Sequence, residues 1–367
     1  MTGKTMTSKR RFLAAVNMEP VDRIPFWPKI FNGYLKHQDS TFHGKSLSEA
    51  YGYFKSDIQH SLPEFIVRTG KRSSIESRRV NDTWITEFKI GKHSRRIVMK
   101  DDPVTLTGHP VEFPIVNEED LDFMTEWYSD GEYHADSELL EKQRLLYEET
   151  GEDAAFAYFI GESPLMYFLE HLANIENGHY LLHDFPEKTE ELFSQMQRDL
   201  LARCEIAAGN PYAEMYYFAE NTSTTLISPE QYVRYCKPQI AEYSSILNTT
   251  GKPVLLHMCG HIKGLLNILD ENRVTGFEAF TPPTVGNATL FDGRAACPEK
   301  SLIGGTNAVM WLWETGDLIK YIYDMLDSLP HTAGIVISPA GVMPPAASPE
   351  KILAVCEALG KYPARNR

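Results

Sequence analysis

The sequence has few cysteines, and they do not form a pattern typical of disulfides. The 367 residues include five cysteines, at positions 204, 236, 259, 297 and 356, an odd and widely scattered set. This excludes a disulfide framework and indicates reduced thiols. Long apolar runs are also missing: no stretch approaches the roughly eighteen apolar residues of a membrane span, and MTGKTMTSKRRFLAAVNMEP lacks the apolar centre of a signal peptide. We therefore expect a cytoplasmic protein.

Positive charge is in the minority. The chain carries 36 Lys and Arg against 50 Asp and Glu, a formal net charge of −14. Such a chain repels the phosphate backbone of nucleic acids and an anionic membrane surface alike. We therefore expect neither nucleic acid nor membrane as a partner, and a small molecule or another protein instead. With 43% hydrophobic and 23% charged residues, the composition is close to that of an average globular protein with a large core.

Strand-like runs alternate with helix signals along most of the chain. Apolar runs such as DAAFAYF (153–159), AEMYYFA (213–219) and PVLLHMC (253–259) are separated by helical segments. This alternation is typical of βαβ units on a parallel sheet, and eight such units close a barrel. We therefore predict an α/β protein with a (β/α)8 TIM barrel fold, formed by one domain over residues 1–367.

Two segments depart from this repeat. Thr7 or Ser8 can cap a helix that ends near Asn17, which predicts an N-terminal helical extension. Over about 80–115, the β-like runs WITEFKI and RRIVMK are separated by GKHS. This pattern predicts a β-hairpin inserted into the barrel.

The stretch LLHMCGHIKGLL (255–266) contains the main candidate for chemistry. In a β-strand, residues two apart point to the same side, so His257 and Cys259 are predicted to share one face at the carboxyl end of a strand. Active sites of barrels are built at that end, and imidazole with thiolate is a ligand pair that suits zinc. The alternative is that both residues simply pack in the core.

Several motifs in order resemble the uroporphyrinogen decarboxylase superfamily. They are LHMCG, the preceding SPEQYVRYCKPQI, the later LIGGTNA and the C-terminal SPAGVMPPAASPEKI. The opening RRFLAAVNMEPVDRIPFWP is similar to that of the methyltransferase branch. The resemblance implies a (β/α)8 barrel and two reaction classes, which are decarboxylation of a porphyrinogen without a cofactor and zinc-dependent methyl transfer to or from a corrinoid protein.

The decarboxylase alternative has mixed support. Decarboxylases of the superfamily carry an arginine-rich segment after the first strand, because a guanidinium pairs with carboxylates in a bidentate way. Here that segment reads PFWPKIFNGYLKHQDS, with Lys29 and Lys36 but no arginine. YFKSDIQ (53–59) is similar to the segment that bears the catalytic aspartate, which maps to Asp57. The balance favours the methyltransferase branch over a metal-free decarboxylase.

The methyltransferase branch implies a zinc site that is incomplete in this sequence. His257 and Cys259 match two ligands, but the third cysteine falls near Gly341 in SPAGVMPP and is absent. Cys297, in RAACPEK, belongs to a helix-strand connection and is a poor substitute. Glu220 and Glu278, each near the carboxyl end of a predicted strand, are the better candidates for a third ligand, since zinc accepts carboxylates.

When a small methylated compound gives up its methyl group, the oxygen or nitrogen that carried the group is a poor leaving group and has to be stabilised. Zinc can act as a Lewis acid, and Glu220 or Glu278 can protonate the leaving group. The nucleophile, cob(I)alamin, is expected from a separate corrinoid protein that docks at the barrel mouth. Candidates for substrate binding are Trp27, Tyr216, Asn221 and Phe280. A homodimer is also expected, and a catalytically silent binding protein is the third alternative.

Overall fold

The computed structural model describes residues 5–38, 42 and 44–367. Three helices and one strand come first along the chain: α1 (Ser8–Val16), α2 (Asn32–His37), α3 (Leu47–Phe54) and β1 (Gln59–Ser61). Helix α1 begins as predicted, because the side chain of Thr7 accepts a hydrogen bond from the backbone N–H of Arg10. The predicted N-terminal helical extension is confirmed.

An insertion with two antiparallel sheets and two helices follows β1. Its elements are β2 (Ile66–Gly70), β3 (Ser73–Val80), β4 (Thr83–Ile90), β5 (His93–Asp101), β6 (Gly108–Glu112), α4 (Glu118–Ser129), β7 (Gly131–Ala135) and α5 (Ser137–Thr150). Strands β3 to β6 form one sheet, and β2 pairs with β7. The predicted hairpin is confirmed as β4 and β5. The flanking β3 and β6 were not predicted, because they are mostly exposed and lack apolar alternation.

The rest of the chain completes a parallel sheet. Its strands are β8 (Ala155–Gly161), β9 (Met215–Phe218), β10 (Val254–His257), β11 (Gly276–Phe280), β12 (Ser301–Asn307) and β13 (Ile335–Ala340). They follow the order β1-β8-β9-β10-β11-β12-β13, with every neighbouring pair parallel. These strands are buried on both faces because helices cover the outside of the sheet, which explains their nearly continuous apolar sequences.

Helices alternate with these strands. They are α6 (Pro164–Tyr167), α7 (Ile175–Asp184), α8 (Pro186–Ala208), α9 (Pro229–Gln231), α10 (Lys237–Asn248), α11 (Leu266–Leu269), α12 (Leu290–Ala296), α13 (Thr315–Ser328) and α14 (Pro349–Lys361). A π-helical turn (Tyr232–Cys236) separates α9 from α10. Pro238 lies two residues after this turn and has no N–H to continue the regular hydrogen bonds.

A short extended segment around Phe26 closes the sheet into a ring. Phe26 forms a parallel bridge with Ile337 of β13, and the Trp27 N–H donates to the Ile337 carbonyl at 2.9 Å. On the other side, the Asp57 N–H donates to the Phe26 carbonyl at 2.8 Å. The barrel prediction is confirmed, with its eighth strand reduced to this segment. The prolines of RIPFWP limit its length because they cannot donate to a neighbouring strand.

The carboxylate of Asp57 ties this segment to the N-terminal helix. The carboxylate is fully buried and accepts hydrogen bonds from Arg11 at 2.6 Å, from Arg23 at 2.7 and 3.0 Å and from the Phe26 N–H at 3.0 Å. We call Arg11, Arg23, Phe26 and Asp57 the N-terminal clasp. It joins α1 and the Phe26 segment to the start of β1.

None of the helices in the described ranges combines the length and the apolar character that crossing a membrane requires.

Asp57→Ala should lower the free energy of unfolding by about 3 to 5 kcal/mol, because it leaves two guanidinium groups near the barrel wall without their shared carboxylate. Urea denaturation followed by circular dichroism measures the change. Asp324→Ala is the matched control: its carboxylate is 62% exposed and pairs with Lys320 one helical turn away, so the expected loss is below about 1 kcal/mol. Equal effects of the two substitutions would contradict a stabilising role for the clasp.

Candidate functional site

A cavity of about 540 Å³ lies at the carboxyl ends of the barrel strands. His257 at the end of β10, Asn221 after β9 and Gly341 after β13 are part of its wall. Most of the wall is apolar, and it includes five aromatic residues: Trp27, Phe31, Tyr51, Phe159 and Tyr217. A cavity of this size and lining is typical of a binding site for a small organic molecule.

Three charged side chains at this cavity are linked in a row by hydrogen bonds. His257 Nδ1 is hydrogen-bonded to the carboxylate of Glu278, and the other oxygen of that carboxylate, Oε1, accepts a hydrogen bond from Lys29 Nζ at 2.6 Å. His257 and Glu278 are direct partners in the register of β10 and β11, so both side chains point to the inside of the barrel. Glu278 is fully buried, whereas the side chain of His257 is 17% exposed. We call Lys29, Glu278 and His257 the charge chain.

The charge chain fixes the protonation states of its members. Burial alone would raise the pKa of Glu278, but the charges of Lys29 and His257 outweigh it and lower the pKa to about 2. Burial alone would lower the pKa of His257, but Glu278 outweighs it and raises the pKa to about 9. At neutral pH, Glu278 is therefore a carboxylate and His257 an imidazolium. Glu278 lies at the site, but as a carboxylate it has no proton to donate to a leaving group, which was its predicted role.

Cys259 lies beside the charge chain but outside strand β10. The strand ends at His257, and Gly260, with a φ of +111°, turns the backbone directly after Cys259. The Cys259 thiol donates to Asn221 Oδ1 at 3.2 Å. Its hydrogen bond to His257 also contributes to the raised pKa of that imidazole.

These residues fit the zinc site of the methyltransferase branch only in part. An imidazole and a thiol are present, but Gly341 has no side chain that could replace the third ligand. Within the described ranges, the donor atoms of His257, Cys259 and a third His, Cys, Asp or Glu do not converge within 4.8 Å. Glu278 is held by Lys29. Zinc binding by His257 and Cys259 stays a prediction, and it requires His257 to give up its proton, because an imidazolium has no lone pair for a metal.

Glu220 lies on the opposite side of the barrel wall from the cavity. Its Oε1 accepts from the Tyr243 hydroxyl at 2.7 Å and from the Ser163 N–H at 3.0 Å, and the side chain is fully buried. Burial raises its pKa to about 7. The assignment of Glu220 as a ligand or acid at the site is therefore corrected, because its carboxylate contacts Tyr243 of α10 and Ser163, whereas the next residue, Asn221, lines the cavity.

Two of the four predicted substrate-binding residues point into the helix layer. The hydroxyl of Tyr216 donates to the Ala207 carbonyl of α8 at 3.3 Å. The ring of Phe280 packs on α12, where a Cβ atom at Gly293 would come within 2.6 Å of it. A β-bulge between Glu278 and Phe280, with Ala279 at a φ of +61°, turns Phe280 away from the cavity.

The other two predicted residues, Trp27 and Asn221, line the cavity. Tyr217, which was not predicted, lines the cavity beside His257, with the two ring centroids 6.3 Å apart. Strand alternation from Asn221 would have identified Tyr217. Lys29 was not predicted as a site residue either, and its ammonium lies 5.2 Å from the ring centroid of Trp27.

Asp57 does not line the cavity. Its carboxylate belongs to the N-terminal clasp, where two guanidinium groups and a backbone N–H occupy it. The expectation of a catalytic aspartate at this position is corrected, because a fully buried and fully engaged carboxylate does not reach a substrate.

Comparisons with known proteins agree with this architecture. A family model described as uroporphyrinogen decarboxylase (URO-D) matches residues 104–362. A methyltransferase from Methanosarcina mazei shares the fold with a TM-score of 0.62, at 15% sequence identity over 96% of this chain and 98% of that one. A B12-independent methionine synthase from Shewanella sp. W3-18-1, solved in complex with selenomethionine, has a TM-score of 0.48, at 9% sequence identity over 85% of this chain and 84% of that one. No curated protein sequence matches significantly.

Glu278→Gln should lower the pKa of His257 from about 9 to below its ordinary value, because burial then acts without the opposing carboxylate. NMR titration of the imidazole, in protein treated with a chelator, measures the change. Glu176→Gln, at an exposed carboxylate in the first turn of α7, should leave the pKa unchanged. An imidazole that still titrates near pH 9 in Glu278→Gln would contradict the charge chain.

Proposed function

The chain belongs to the uroporphyrinogen decarboxylase family, and we propose that within this family it is a methyltransferase. It takes a methyl group from a small methylated compound and passes it to the corrinoid of a partner protein. The cavity lining is the observation that carries this proposal. Its wall is apolar and aromatic, and Lys29 is the only Lys or Arg that lines it in the described ranges. The whole-length likeness to a methyltransferase is in line with it.

Porphyrinogen decarboxylation has less support from the same wall. A substrate with many carboxylates needs several guanidinium groups to bind it. Arg11 and Arg23 are held by Asp57 in the N-terminal clasp, and the one ammonium of the wall, Lys29, is paired with Glu278. An uncharged methylated compound with an aromatic or aliphatic body suits these surroundings better.

The residues of the charge chain supply the proton for the leaving group. Attack by cob(I)alamin on the methyl carbon breaks the bond between that carbon and an oxygen or nitrogen of the substrate. The electrons of the broken bond stay on the oxygen or nitrogen, which takes a proton from the His257 imidazolium. Glu278 holds the ring by its Nδ1, so Nε2 is the atom that faces the substrate. The products are the demethylated compound and methylcobalamin.

Apolar side chains on the loops around the barrel mouth suit a docked protein. After the Phe26 segment Phe31 is 47% exposed, after β11 Val285 is 48% exposed, and after β12 Leu312 and Trp313 are 56% and 39% exposed. These four side chains follow the carboxyl ends of barrel strands, so they lie on the face that a protein must approach to reach the cavity. The corrinoid protein is the partner that we propose for this rim. The homodimer stays a prediction.

The test uses the full chain with free cob(I)alamin and a panel of aryl methyl ethers, alkyl methyl ethers and methylated amines. Methylcobalamin formation, followed by absorbance, is the expected result for at least one class. Under the same conditions His257→Gln should be slower by about 10²- to 10⁴-fold, and wild-type activity should fall as the pH rises through about 9, because His257 then loses its proton.

Glu220→Gln is the matched control, since it changes a buried carboxylate one residue from Asn221 that does not face the cavity. Glu278→Gln should lose activity and Glu220→Gln should keep it. Turnover of uroporphyrinogen by the wild type would favour the decarboxylase instead. Binding of a methylated compound without turnover, with both free and protein-bound corrinoid, would favour the catalytically silent alternative.

A further inference from the structure

A second group of possible metal ligands lies next to the cavity and is not part of the charge chain. Glu162 directly follows strand β8, and Glu170 and His171 belong to the π-helical turn Phe168–Leu172 that follows α6. One donor atom from each of these three residues lies within 4.8 Å of the other two. π-helical turns are rare and frequently occur at functional sites.

In the described part of the chain, each of the two glutamates has one carboxylate oxygen without a hydrogen-bond partner. The side chain of Glu162 is only 10% exposed, and its Oε1 is 3.4 Å from His171 Nε2. Its other oxygen, Oε2, is buried without a hydrogen-bond donor in the described part of the chain, and so is Oε1 of Glu170. Apart from His171, no basic side chain in that part forms an ion pair with either glutamate. Buried carboxylate oxygens without a partner are costly.

We propose that Glu162, Glu170 and His171 bind a divalent transition-metal cation of the zinc or manganese type. Two carboxylates and one imidazole form a donor set that such cations accept. The cation gives the two carboxylates a positive partner, which the described part of the chain otherwise provides only through His171. Three protein ligands leave room for water in its remaining positions.

The cation also fixes the neighbouring side of the cavity. Oε2 of Glu170 accepts a hydrogen bond from Asn221 Nδ2 at 2.9 Å, and Asn221 Oδ1 accepts from the Cys259 thiol at 3.2 Å. Asn221 therefore joins the metal ligand Glu170 to the cavity wall. Asn221 is a positioning residue in this arrangement. The site does not depend on which reaction the protein catalyses.

The experiment measures metal binding by the full chain after treatment with a chelator and desalting. Zn²⁺ and Mn²⁺ are added separately, the dissociation constant is measured by calorimetry, and the metal content is measured by elemental analysis after a second desalting. The wild type should bind one equivalent at this site. Glu162→Gln and Glu170→Gln should bind it about tenfold or more weakly, since even the loss of a partner of a metal ligand has an effect of that size.

Two variants serve as controls. Glu176→Gln changes an exposed carboxylate nearby and should bind like the wild type. Cys259→Ala should also keep this equivalent, because its thiol is not among the three ligands. If the metal is lost in Cys259→Ala and kept in both glutamine variants, it binds at His257 and Cys259 and the proposal is wrong.

Folding of each variant is checked by circular dichroism. If a glutamine variant does not fold, His171→Gln replaces it, because the His171 side chain is 25% exposed. The melting temperature gives a second measure, since a cation that binds the native state raises it in the wild type and not in the ligand variants. No bound metal in the wild type, or unchanged binding in the folded variants, would overturn the proposal without affecting the methyl transfer assay.

Discussion

The site depends on the closure of the barrel by the N-terminal clasp. Asp57 holds Arg11, Arg23 and the Phe26 backbone together, and Phe26 in turn contacts both edges of the seven-stranded sheet. Lys29 lies only three residues after Phe26, so closing the ring also brings its ammonium to the cavity wall. A buried carboxylate far from any substrate thus determines whether Glu278 has its positive partner.

The barrel was predictable because its signals are local. Most of the parallel strands contain a continuous apolar run, as β8, β9 and β10 do. Capping residues mark helix starts such as those of α1 and α14, so the alternation can be recognised without knowing which strands are neighbours. The eighth strand and the four-stranded insertion were harder. Prolines reduce the Phe26 segment to a single bridge, and β3 has an exposed, polar sequence whose pairing comes from its neighbour β4.

The site was predictable only as far as residue spacing determines direction. Tyr216 and Asn221 are five positions apart, an odd number, so they could not both face the cavity from one regular strand. Asn221 faces the cavity and Tyr216 does not. Phe280 could not be placed by counting, because the bulge at Ala279 changes the alternation. The sequence also gives no indication that Lys29 pairs with Glu278, since only the closed barrel brings them together.

The distance along the chain between Lys29 and Glu278, 249 residues, has a consequence for synthesis on the ribosome. The ammonium of Lys29 is therefore made 249 residues before its carboxylate partner. Until then neither Lys29 nor His257 has its carboxylate partner, and the ring cannot close before Ile337 of β13 is available to Phe26. The binding site is therefore assembled in one of the last steps of folding, and a nascent chain has no finished pocket in which to bind a substrate prematurely.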